Sequence, residues 1–213
     1  MQNNSPSTLS KFFGHIISFI FHPLFVPTYF ILYLIKVVPF EFVGITDWQL
    51  QLRVFSVFWL TAFFPAFAVF LLWRLKFSES IFLRTQKDRI IPYVIVMFFY
   101  WWMYYLSRNF SDQPIVLKYF YFGVFIASAL GLIVNNFIKV SLHGMGIGGL
   151  LTAVMFVGIK YPINNIVWDI AILFIAGIVI SARMMVSDHT NKELTIGLGI
   201  GIITQTLAYF WVG

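Results

Sequence analysis

The sequence predicts an all-α protein: a polytopic transmembrane helical bundle of about six to seven spans, folded as a single integral membrane domain over residues 1–213. Composition is the first observation. Hydrophobic residues make up 60% of the chain and charged residues 10%, against about 25% charged in soluble domains. Mean hydropathy is +0.87. Length is the second, because a span needs roughly 20 mostly apolar residues and the chain offers about seven such stretches. The third is that these runs are continuous, without the alternation of a transmembrane strand.

A polar tail over about residues 1–12 leads into spans expected near 14–37, 54–73, 90–106, 117–138, 143–160, 165–183 and 194–212. The first apolar run is too long and too aromatic for a signal core, so no cleavable signal peptide is expected. That run contains His22-Pro23 and Pro27. Proline at this depth kinks a helix and frees carbonyls that neighbours must satisfy. His22 is therefore read as a polar contact at the kink, with a site role as the alternative. Residues 38–53 and 107–116 are expected as short loops on one side. Residues 74–89 form the largest polar segment, and Pro92 then falls in the first turn of the third span, where proline is tolerated.

The chain has no cysteine, which excludes disulfides, thiolate catalysis and Cys-ligated metals. Its net charge is +6. The basic residues lie between spans, so membrane orientation and anionic headgroups explain them better than nucleic acid does. With seven spans, one side carries Lys11, Arg74, Lys76, Arg84, Lys87, Arg89, Lys139, Arg183 and Lys192. The other carries Lys36, Arg53, Arg108, Lys118 and Lys160. The positive-inside rule makes the first side cytoplasmic. Glycines four apart, Gly144 with Gly148 and Gly197 with Gly201, suit close helix approach in lipid. They predict that the fifth and seventh spans hold their polar ends together; the same spacing fits contacts between chains, and oligomeric state stays open.

Three polar segments fall on the more basic side. Arg84, Lys87, Arg89 and Arg183 are phosphate donors by type. Ser141 stands where the fifth span begins, and a helix N-terminus presents N–H groups and positive dipole to an anion. His189 and Glu193 are four apart. On a helix beginning near His189 they share a face, and the carboxylate can hold the ring in one tautomer. An imidazole so held can attack phosphorus, and His143 can protonate a leaving oxygen. Taken singly, each of these residues also has a structural explanation. Arg and Lys orient spans, His143 suits an interface, and Glu193 suits a helix first turn.

The spacing resembles the type 2 phosphatidic acid phosphatase superfamily of membrane lipid phosphatases and vanadium haloperoxidases. Val140-Ser141-Leu142-His143 keeps the Ser and His of its Pro-Ser-Gly-His motif. Arg183, His189 and Glu193 keep the spacing of its Ser-Arg, His, Asp motif, with Ala182 for Ser and Glu for Asp. Its Lys, six residues, Arg-Pro motif is only approximated by the segment from Arg84 to Pro92, whose spacing differs. The resemblance covers about residues 80–200. It implies His189 as nucleophile, Glu193 as its orienter and His143 as general acid. Ser141, Arg183 and Arg89, then Lys87 and Arg84, are the implied phosphate ligands. The implied activity is hydrolysis of a lipid phosphate monoester or diphosphate through a phosphohistidine, with no metal and no cofactor. A catalytically inactive relative that binds headgroups or a partner protein is the alternative. A small transporter using His22 or Asp169 is a third reading.

Overall fold

The computed structural model describes residues 8–77, 85–110, 112–162, 166–186 and 190–212. These form an all-α bundle with seven helices or helix pairs long and apolar enough to cross a membrane: Thr8–Val37, Asp47–Arg74, Lys87–Asn109, Ile115–Asn135, Leu142–Lys160, Ile166–Val186 and Asn191–Val212. The chain is a multi-pass integral membrane protein by the length and apolarity of these segments. Phe67, Phe98, Trp101 and Phe210 are among many large apolar side chains left on the outside, where lipid rather than water is the compatible solvent.

The first span is broken. Helix α1 (Thr8–Ile20) ends at His22-Pro23, a short 3-10 turn covers Pro23–Phe25, and α2 (Val26–Val37) continues inward with Pro27 in its first turn. The second span joins α3 (Asp47–Phe58) to α4 (Phe64–Arg74) through one π turn at Trp59–Phe63, the register shift that accommodates Pro65. The remaining spans are α5 (Ile90–Asn109), α6 (Ile115–Asn135), α7 (Leu142–Lys160), α8 (Ile166–Val186) and α9 (Asn191–Val212).

The expected loop at 38–53 is wrong in its second half. A 3-10 turn covers Pro39–Phe42 and α3 begins at Asp47. The cause is a capping box: Thr46 Oγ1 accepts from Gln49 N at 3.3 Å, and Gln49 Oε1 accepts from Thr46 N at 2.9 Å. This pair starts a helix ahead of the apolar run. The third span likewise runs on to Asn109, into the expected loop at 107–116.

Helix α7 packs against α9, α8, α6 and α2. Its contact with α9 is backbone on backbone. A Cβ on Gly144 would lie 2.7 Å from Leu194 O, and a Cβ on Gly148, Gly197 or Gly201 would overlap the Leu198, Ser141 or Met145 carbonyl. In lipid there is no hydrophobic drive between helices, so such close van der Waals contact supplies association directly. The expectation for the fifth and seventh spans is met within one chain. Gln205 adds a polar tie, donating to Phe120 O at 3.1 Å. The main apolar core lies deeper, around Phe30 stacked on Phe120 at 4.2 Å, with Leu34, Leu117 and Val157.

Alanine at Gly148 or Gly201 should lower the unfolding temperature in detergent, at an overpacking cost of about 1–3 kcal/mol. Gly158→Ala and Gly177→Ala, where a Cβ meets nothing within 4 Å, should not. Equal behaviour of the two sets would remove the glycine contact as the organiser of the bundle.

Candidate functional site

The α7–α9 contact ends at the segments that precede both helices. Ser141 N donates to Glu193 O at 3.3 Å, joining the start of α7 to the first turn of α9. The third polar segment reaches the same place. Thr85 and Asp88 pair at the 3-10 turn Lys87–Arg89, with Thr85 Oγ1 donating to Asp88 Oδ2 at 2.7 Å and accepting from Asp88 N at 3.1 Å. From that turn Arg89 is buried and donates through Nη1 to Val140 O at 2.9 Å. Glu193 acts on Arg89 electrostatically. Next to this link, Gln86 Nε2 donates to Asn135 O at 2.8 Å and Asn135 Nδ2 donates back to Gln86 O at 3.0 Å. All three polar segments of the more basic side therefore meet at one end of the bundle.

Ser141 is fully buried. Its Oγ accepts from Gly144 N at 3.3 Å and is the N-cap of α7, so one helix amide expected for an anion is already satisfied. Glu193 is also a cap. Its Oε2 accepts from Thr190 N at 3.0 Å while Thr190 Oγ1 accepts from Glu193 N at 3.3 Å, a reciprocal capping box. Helix α9 accordingly begins at Asn191, three residues ahead of the span expected near 194–212. His189 and Arg84 lie outside the described residues. Lys87 is exposed on the turn that buries Arg89, so the structure separates two of the residues nominated for the first motif.

His143 is in the first turn of α7, and its Nε2 lies 2.9 Å from Ser18 O. A carbonyl only accepts, so Nε2 carries the proton and Nδ1 is the nitrogen that a second proton would take. The His22 ring stands against it, with centroids 5.4 Å apart and planes at 81°. Arg183, in the last turn of α8, acts electrostatically on His22. Helix α1 makes this possible by packing on α8 through Gly14, where a Cβ would meet Val186 Cγ2 at 2.5 Å. The kink then docks on α7 at Gly146, whose missing side chain leaves room for Pro23 and Val26.

The positions that differ from the resembled motifs have packing roles. Val140 is fully buried in a cluster with Tyr93, Met145 and Ile200, and Leu142 packs beside it. Ala182 is buried where α8 faces Gly14. An apolar groove of about 750 Å³ lies between α1 and α8, near Phe13 and Gly177, and the charged cluster does not line it. Asp169 is in the first turn of α8 and accepts from Tyr33 OH at 3.1 Å. His22 as a ring partner, and the Gln86–Asn135 clasp, were not reached from sequence. The polar pair Asn135-Asn136 closing an apolar run was the available signal for the clasp.

No family model matches the chain, and neither the curated proteins nor the solved structures show a match.

Glu193→Ala should destabilise the protein by about 0.5–2 kcal/mol, the usual worth of a helix cap, while Glu193→Gln, which can still accept from Thr190 N, should unfold near the wild-type temperature. Equal losses in the two variants would show that the carboxylate charge, not the cap, sets stability here.

Proposed function

We propose that the chain is an integral membrane hydrolase that cleaves a phosphate monoester or diphosphate from a lipid. The observation that carries this reading is the convergence of Arg89, Ser141, His143 and Glu193 from three separated segments, joined by Arg89 Nη1 to Val140 O and Ser141 N to Glu193 O. Phosphoryl transfer needs concentrated positive charge and oriented imidazoles more than it needs covalent chemistry from the protein. A bundle with 10% charged residues gathers both at one end.

In this mechanism the guanidinium of Arg183 neutralises the phosphoryl oxygens. An imidazole nitrogen of His189 attacks phosphorus as the P–O bond to the lipid breaks. His143 gives the leaving oxygen a proton from Nδ1, and the Ser18 carbonyl holds Nε2–H and steadies the imidazolium. Water then adds to the phosphohistidine, releasing inorganic phosphate and restoring the ring. Buried Arg89 holds the loop before Ser141 in place and adds positive field. The charge asymmetry, nine basic residues against five, favours the cytoplasmic leaflet for this end.

A second reading is a lipid-phosphate binder without turnover. Capping by both Ser141 and Glu193 favours it, because each has a structural duty apart from substrate. Purified protein in detergent should release phosphate from phosphatidic acid or a prenyl diphosphate. His189→Ala should lose at least a hundredfold in kcat, within the range for removing a nucleophile, and His143→Ala should lose about 10²–10⁴-fold. Undiminished turnover by His189→Ala would contradict the mechanism. Binding without hydrolysis in wild type would select the second reading.

A further inference from the structure

His22 is held more specifically than a kink requires. Pro23 restricts the residue before it to extended backbone, and His22 has φ −63° and ψ 138°. In that conformation its Nδ1 accepts from Leu24 N at 3.3 Å, capping the 3-10 turn Pro23–Phe25. A ring nitrogen that accepts carries no proton, so the neutral ring has its N–H at Nε2, on the far side from the cap. Asn, Asp or Ser serves a cap at least as well, and none of them supplies a donor at the Nε2 position.

The surroundings give that second nitrogen a setting. The His143 ring is 5.4 Å away, edge to face. Its Nε2 is tied to Ser18 O, so the stretch from Ser18 to Leu24 orients both imidazoles. Arg183 adds its positive field from α8. Two imidazoles and a guanidinium are grouped in a half-buried space: His22 through Nε2–H, Arg183 through its guanidinium and His143 through Nδ1 once it takes a second proton are N–H donors suited to an anion.

We propose that His22 is a third imidazole of the phosphate site and donates from Nε2 to a phosphoryl oxygen of the bound lipid phosphate. This rests on the phosphate reading above and adds a contact from the first span, outside all three resembled motifs. The role is binding of the anion; no bond is made or broken at His22.

The test compares wild type, His22→Asn and His22→Ala in detergent micelles with short-chain phosphatidic acid. It measures unfolding temperature, KM and kcat for phosphate release, and lipid binding by calorimetry. Asn keeps an acceptor for Leu24 N but has nothing at Nε2. The expected result is a near wild-type unfolding temperature for His22→Asn, with affinity or kcat/KM weakened about tenfold or more, the worth of one hydrogen bond to a charged group. His22→Ala should show the same loss with a lower unfolding temperature. Wild-type binding and kinetics in His22→Asn would overturn the proposal and reduce His22 to a cap. Binding without hydrolysis in wild type would end the hydrolase reading but leave this contact to be judged by affinity. Absence of both in wild type would overturn the two together.

Discussion

The approach of α7 to α9 without intervening side chains is the constraint on which the site depends. Two helices bearing side chains at Gly144, Gly148, Gly197 and Gly201 would stand further apart, since a Cβ at any of the four would run into opposing backbone. The hydrogen bond from Ser141 N to Glu193 O exists because that separation is closed. Once the two helix starts are locked, Arg89 has a fixed acceptor in the Val140 carbonyl, and the third polar segment is drawn in behind it. A geometric fact about small residues in lipid thus becomes an electrostatic one at the end of the bundle.

In the proposed hydrolase the same residues carry fold and chemistry, and their duties overlap. Ser141 and Glu193 satisfy helix ends, which is essential where little water is present to do so. Arg89 uses a charged donor to fix backbone. A site assembled from caps is rigid, and rigidity favours preorganised charge over adaptable binding. It also means that substitutions at these positions mix loss of structure with loss of function, so conservative replacements carry more information than alanines.

Much of this architecture was legible in the sequence. Continuous apolar runs set the number and order of spans, because lipid admits few other ways to bury backbone. The glycine spacing indicated which spans approach closely, and the parity of the spans put the polar segments on one side. What was hidden has identifiable causes. Thr46 and Gln49 start α3 within a polar stretch that hydropathy scores as loop. Caps use the residue types expected of a phosphate ligand or of an acid that orients an imidazole, so Ser141 and Glu193 each read alike as cap or as site residue. Arg89 and Lys87 differ by two positions on one turn, and only the turn's orientation decides which is buried. The meeting of His22 with His143 depends on the angle of a proline kink and on a notch at Gly146, neither of which local sequence specifies.

The central claim is that these segments form one anion site, and a structure of the purified protein with orthovanadate tests it most directly. The account expects vanadate at the end of the bundle, bonded to His189, with its oxygens within hydrogen-bonding distance of Arg183 and His143. Vanadate bound elsewhere, or this cluster empty at saturating concentration, would contradict it.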